Sequence, residues 1–301
     1  MVSPAADVDI DEPLVRSLLS EQHPDLADLA LVELDAGWDN TLWRLGTDRL
    51  VRLPRRAAAA VLTIHEQRWL PTLGPTLPLP VPVPLRVGRP TARYPWSWSV
   101  VPWLDGVPGD RTTAIESAAV AVRLGGFLRA LHRPAPADAP PNPYRGVPLV
   151  ERADAFEARV RDLDAEIDAP TVRAAWDRAC DTTPWQGPPT WLHGDLHPAN
   201  LLFVDGDLSA VIDFGDLCAG DPATDLAAAW MLLPASVIPE FTRAYGGVGP
   251  HLEARALGWS LLFGVLLLAI GLDDRPTYEP IGRRTLDHVI AHGAAPGSAR
   301  G

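Results

Sequence analysis

The chain contains no lysine, so all 26 of its basic residues are arginine. Each keeps its charge at any cellular pH and offers a planar fork of donors matched to carboxylate and phosphate. Cysteine is nearly absent. Cys180 and Cys218 alone cannot make a disulfide framework, and a reducing compartment is expected. The opening, MVSPAADVDIDEPL, lacks the charged-then-apolar pattern of a signal peptide, so the cytoplasm is the expected location. Long apolar runs are missing too. The longest spans Gly258 to Leu272, short of the roughly 20 residues a membrane span needs, and it reads as a buried helix. Basic charge is in deficit: 26 Arg against 38 Asp+Glu gives a net charge of −12. That field repels nucleic-acid phosphates and anionic membranes and tolerates a small, cationic partner better. There is no internal repeat and no GxGxxG phosphate loop.

What is present is a globular composition, 301 residues with 47% hydrophobic and 21% charged, enough for about two domains. The first hundred residues read as short strands with one helix. Ala30 to Leu34, Leu42 to Leu45 and Arg49 to Leu53 are strand-like, the first two separated by the turn residues Asp35 to Asn40. Residues 57 to 70 carry helix formers and end at Pro71, and the recurrent prolines from Pro71 to Pro84 predict an extended connector. WSVVPWL, residues 98 to 104, reads as a last strand before Asp105-Gly106. Helical patterns then dominate, at 113 to 132, 150 to 180 and from Pro222 to about His292. They are interrupted by a Pro-rich loop at 134 to 148 and by short strands from Trp191 to Ile212. The expected organisation is α+β: a first unit at 1–104 with a small antiparallel sheet, a mainly helical unit at 105–292, and a disordered tail at 293–301.

The densest polar cluster is WLHGDLHPANLLFVDGDLSAVIDFGD, residues 191 to 216. Leu201 to Val204 and Leu208 to Ile212 flank Asp205-Gly206-Asp207, a tight-turn signal, and predict an antiparallel hairpin. The hairpin should bring Asn200 and Asp213 near one another at its mouth, an amide oxygen and a carboxylate of the hard-ligand kind that suits Mg²⁺. Asp195, five residues before Asn200, can face the same mouth. A carboxylate to accept the proton of an attacking hydroxyl, with an Asn and an Asp to hold a metal, is the layout phosphoryl transfer requires.

His193-Gly194-Asp195 with Asn200, then Asp213-Phe214-Gly215, resembles the catalytic and metal loops of protein kinases, with Gly194 where they carry Arg. HGDLHPAN, VIDFGD and GDPATDLA together resemble the aminoglycoside phosphotransferase family and its choline-kinase-like relatives. So do GWDN at 37–40, VRLPRR at 51–56, EQRWLP at 66–71 and VVPWLDG at 100–106. The resemblance implies a two-lobed protein-kinase-like fold with ATP or GTP as phosphoryl donor and Mg²⁺ as cofactor. Asp195 would be the catalytic base, and Asn200 and Asp213 the metal ligands. His193 would be structural, bonded to the metal-loop backbone, and Asp225 would hold the catalytic-loop backbone. Arg52 stands where kinases have a phosphate-binding lysine, with Glu66 as its helix partner. Val101 to Trp103 would bind adenine through the backbone, and Asn40 belongs to the phosphate-facing turn.

The implied activity is transfer of a γ-phosphoryl group to a hydroxyl of an aminoglycoside or related amino or sugar alcohol, in antibiotic resistance or in metabolism alike. The alternatives are a catalytically silent nucleotide binder, with Arg52 as the lesion, and a zinc hydrolase built on His193 and His197. Arg52 could also be a surface strand residue, with Arg55 or Arg56 supplying the charge. Asp273 and Asp274 form the acidic pair most suggestive of a polyamine substrate, with a solvated helix end as the plainer reading.

Overall fold

The computed structural model describes residues 5–34, 37–112 and 117–294. Asp35 and Ala36 of the expected turn, the first residues of the expected 113–132 helix, and the expected tail from residue 295 onward lie outside the described residues. The chain forms two compact units, one from residues 3–105 with 211–215, the other from 106–210 with 216 onward. The segment carrying Asp213, expected with the helical unit, thus belongs by its contacts to the first.

The first unit opens with a helix the sequence reading missed, α1 (Glu12–Gln22). Asp11 caps it, its carboxylate accepting the Leu14 N–H at 2.9 Å, with a proline in the first helical turn. Leu14, Val15, Leu18 and Leu19 form its buried stripe. The strands are β1 (Leu31–Glu33), β2 (Asn40–Leu45) and β3 (Arg49–Pro54), followed by α2 (Ala57–Leu73) and then β4 (Arg86–Gly88) and β5 (Trp98–Pro102). They make one antiparallel sheet in the order β1-β2-β3-β5-β4. Along β2, Thr41, Trp43 and Leu45 are buried in strict alternation. Trp43 and Leu45 join Val51, Leu53, Val100 and the α1 stripe in one core. Each such side chain contributes about 1.5–3 kcal/mol when fully buried. Because successive strand residues face opposite ways, burying Val51 and Leu53 in that core turns Arg52 to the other face.

Helix α2 does not stop at Pro71 but carries it inside. A proline within the last turn deletes one backbone hydrogen bond, and the Gly74 N–H still bonds Leu70 O to close the helix. The extended connector therefore begins later than expected, after a 3₁₀ turn at Gly74–Thr76.

The second unit contains β6 (Val107–Pro108), α3 (Ala118–Leu131), α4 (Ala153–Asp162), α5 (Ala169–Cys180) and β7 (Thr190–Leu192). The predicted hairpin follows as β8 (Leu201–Val204) and β9 (Asp207–Val211), then β10 (Cys218–Gly220). Asp205 and Gly206 both have positive φ, 51° and 82°, as a two-residue turn matched to strand twist demands. β6 lies on the far side of β8, and β10 pairs antiparallel with β7. Four helices complete the unit: α6 (Ala223–Leu232), α7 (Ile238–Tyr245), α8 (Pro250–Asp273) and α9 (Glu279–Ala294). All ten residues of α6 are buried, and α8 packs against α6 and α9. α8 is longer than the sequence reading gave it, 24 residues. It is long and apolar enough to cross a membrane by length and composition, yet 67% of its most apolar window is buried inside the protein. Asp273 and Asp274 stand exposed at its end, as a solvated terminus does.

Candidate active site

Two clusters of predicted site residues form, one in each unit. In the first, Arg52 is 7% exposed, not a surface residue. Its Nη1 donates to Glu66 Oε1 on α2 at 2.9 Å and its Nη2 to Asp213 Oδ1 at 3.2 Å. Burial alone would lower the Arg52 pKa, but Glu66 and Asp213 outweigh it and raise it. Asp213 adopts a left-handed backbone with φ 62° and keeps a half-exposed carboxylate. Arg55 and Arg56 do not replace Arg52. Arg55 donates to Gly37 O at 3.1 Å, and Arg56 pairs with the Asp39 carboxylate, so both hold the 37–40 turn. Asn40 begins β2. Its carbonyl accepts the Gly37 N–H at 2.9 Å, and its buried Oδ1 has no hydrogen-bond partner among the described residues.

One expectation in this unit narrows. Within Val101–Trp103, Pro102 has no N–H, and the Trp103 N–H is already donated to Asp48 O at 2.8 Å. Trp103 therefore does not offer its amide to a base. Its ring lies under the Arg44 guanidinium at 3.6 Å and its Nε1 donates to Asp105 at 2.8 Å. Val101 sits opposite Leu50 in the sheet.

The second cluster is the loop after β7. Asp225, in the first turn of α6 and fully buried, accepts the His193 N–H at 2.6 Å and the Gly194 N–H at 2.9 Å. Asp225 also meets His132 Nε2 at 3.2 Å, and His132 Nδ1 meets the Tyr245 hydroxyl at 3.0 Å. With Tyr245 donating to Nδ1 and Nε2–H donating to Asp225, every group in that chain is satisfied. Asp221 just precedes α6. Its carboxylate accepts the Ala223 N–H at 3.0 Å and pairs with Arg255 Nε at 2.6 Å, both side chains nearly buried. Pro222, where the sequence pattern opens this helix, is its cap residue, and the helix proper starts at Ala223.

Asp195 is 30% exposed. Arg145 Nη2 donates to its Oδ1 at 2.9 Å, and His197 Nε2 lies 3.5 Å from its Oδ2. Burial would push this carboxyl up, but His197, Arg145 and His193 overcome that and hold it well below the usual carboxylate range. His193 is buried, and its Nδ1 accepts the Asp195 N–H at 3.2 Å. Asn200 donates Nδ2 to Asp195 O at 2.8 Å, which leaves its amide oxygen as the atom to meet a cation. Arg145 and its neighbour Asn142, which donates to Asp216 at 2.7 Å, went unnoticed in the sequence. They lie in the 134–148 loop, where the prolines suggested a connector and nothing local signals a partner.

No group of three or more His, Cys, Asp and Glu side chains among the described residues could hold a metal ion. The zinc-hydrolase alternative thus has no ligand set there. Mg²⁺ asks for less, an amide oxygen and one carboxylate with substrate phosphates and water, and the donor chemistry of Asn200 and Asp213 fits it.

The chain is similar to proteins of known activity. The chain is 31% identical over 222 residues to a homoserine kinase of Rhodospirillum rubrum, covering 64% of this chain and 60% of that protein. It superposes on the apoenzyme of a macrolide 2'-phosphotransferase from Brachybacterium faecium with a TM-score of 0.62 and 25% identity, covering 92% and 97% of the two chains. The GDP complex of an aminoglycoside 2'-phosphotransferase-IIIa mutant matches with a TM-score of 0.70 and 19% identity over 94% and 98%. The fold is thus the two-lobed, protein-kinase-like α+β fold the sequence implied. The profile of the phosphotransferase enzyme family matches residues 30–257, three quarters of the chain, and the chain belongs to that family.

Proposed function

We propose that the protein is a Mg²⁺-dependent small-molecule O-kinase that moves the γ-phosphoryl group of ATP or GTP onto an alcohol. The observation that carries this reading is Asp195: an ionised, partly exposed carboxylate on a loop whose two preceding N–H groups are tied to the buried Asp225. In the reaction, Asp195 accepts the proton of the attacking hydroxyl, and Asn200 and Asp213 would hold the metal. Bound Mg²⁺ supplies neutralisation of the charge that develops on the transferring phosphates. Arg52, kept charged and aimed by Glu66, serves the nucleotide phosphates. Asn40, in the turn held by Arg55 and Arg56, sits where a phosphate-facing loop is expected. His193 and Asp225 position the loop.

The acceptor is an alcohol-bearing small molecule, an aminoglycoside or a related amino or sugar alcohol. The acceptors named for the relatives are an amino acid, a macrolide and an aminoglycoside, which share little beyond a hydroxyl. The test is nucleotide consumption with Mg²⁺ across such a panel, wild type against Asp195→Ala. Turnover with one acceptor, lost by about a hundredfold or more in the variant, is the expected result. Nucleotide binding without turnover in both proteins would establish the silent binder instead.

A further inference from the structure

The charges around Asp195 do not sum as a polycation site would require. Arg145 Nη2 lies 2.9 Å from Asp195 Oδ1 and 3.6 Å from Asp216 Oδ2. Its side chain is 15% exposed, whereas the two carboxylates keep 30% and 29%. The guanidinium thus reaches the acid pair from the covered side, over the Phe263 ring at 5.1 Å, and leaves both acids an open edge. The segment that delivers it is pinned. Asn142 holds Asp216, the Gly146 N–H donates to Thr224 Oγ1 at 3.1 Å, and Gly146 O accepts the Asp221 N–H at 2.9 Å. Close by, Tyr278 stacks edge-on against His197, and its hydroxyl feels Arg275, Asp110 and Asp195. Three acids, two arginines and a histidine therefore share this neighbourhood.

We propose that Arg145 is a specificity-determining residue: a built-in counter-cation for the Asp195–Asp216 pair that selects against polycationic acceptors and in favour of uncharged or zwitterionic alcohols. The inference rests on reading Asp195 as the base that faces the acceptor, and it narrows the proposed acceptors to the uncharged or zwitterionic amino and sugar alcohols, setting the polycationic aminoglycosides last. Were the pair unbalanced, two neighbouring carboxylates would attract ammonium groups, as two acids beside a cleft do.

The experiment is calorimetric binding of kanamycin, a polycationic probe, at low ionic strength, to wild type, R145Q, R145K and R145Q/D216N. R145Q is expected to bind roughly tenfold tighter than wild type, R145K like wild type, with the gain shrinking in salt. Adding D216N should remove the gain and so locate it. A second route avoids any folding defect. Because the chain has no lysine, acetylation of folded R145K neutralises its single side-chain amine, and that product should gain the same affinity. The proposal is overturned if neither R145Q nor acetylated R145K binds more tightly, or if the gain survives D216N. Binding is read without turnover, so failure of the kinase reading would show separately, as absent nucleotide consumption.

Discussion

Replacing Asp225 should unfasten the 193–195 loop, and the loss can be worked from its contacts. The carboxylate is fully buried and is met by three donors: the His193 N–H, the Gly194 N–H and His132 Nε2. Hydrogen bonds to a charged group are each worth about 1.5–3 kcal/mol, and an orphaned buried donor costs about 1–3 kcal/mol. Against this, Asp225→Ala relieves the desolvation of a buried carboxylate, so the three losses do not simply add. The nearest measured analogue, removal of one partner from a buried charged cluster, costs about 3–5 kcal/mol, and that is the expected destabilisation. Asp225→Asn keeps the shape and one acceptor oxygen but turns an NH₂ toward a donor, so about half that loss is expected. The assay is urea denaturation, comparing midpoints at unchanged slope, with hydrogen exchange at residues 193–195 as the local readout. If Asp225→Ala falls within about 1 kcal/mol of wild type, the clamp does not hold the loop and the reasoning fails.

Two further substitutions probe other parts of the fold. Gly194→Ala would put a Cβ 2.4 Å from Asp216 O at a φ of 85°. A loss of at least about 2 kcal/mol is expected from strain and overlap, and a denaturation midpoint equal to wild type would refute it. His292 bonds Glu253 at 3.1 Å, which raises its pKa over the opposing effect of burial. A group whose folded pKa is raised contributes stability below its ordinary value of 6.5, and that contribution is lost as pH rises through the higher folded value. Glu253→Gln should therefore flatten the fall in melting temperature between about pH 6 and pH 8, and an unchanged slope would contradict the pairing.

The hairpin was readable because Asp205-Gly206 needs positive φ at both positions and few other residue pairs allow it cheaply. The Asp225 contact with the loop backbone was readable only through the family resemblance, since nothing in the α6 sequence ATDLAAAWML indicates which way a first-turn carboxylate turns. Gly194 stands where protein kinases carry Arg. The structure adds a steric reason, since only glycine fits against Asp216 at that φ. Helix α1 lies outside the strands and single helix expected of this unit, yet Asp11, Pro13 and the 14-15-18-19 apolar spacing announce it. Arg145, His132 and Tyr245 left no local trace. Their partners lie 50 to 113 residues away, and a side chain that acts through such contacts follows no short motif.

Arg52 bears most directly on whether this phosphotransferase relative is active or silent. A lysine at this position would present one compact charge, whereas the guanidinium divides its two terminal nitrogens between Glu66 and Asp213. The two arms are not equal. Arg52 and Glu66 are both under a tenth exposed, so breaking their pair would strand a buried charge. Asp213 is 55% exposed, so its longer contact with Arg52 is solvent-screened and worth little. The Glu66 arm therefore anchors the guanidinium, and under the proposed roles the Asp213 arm is the one that would yield to phosphate and metal. If Arg52 has the proposed phosphate role, Arg52→Lys, with one nitrogen to serve both partners, should lower nucleotide affinity in a calorimetric titration, and an affinity equal to or above wild type would refute that role.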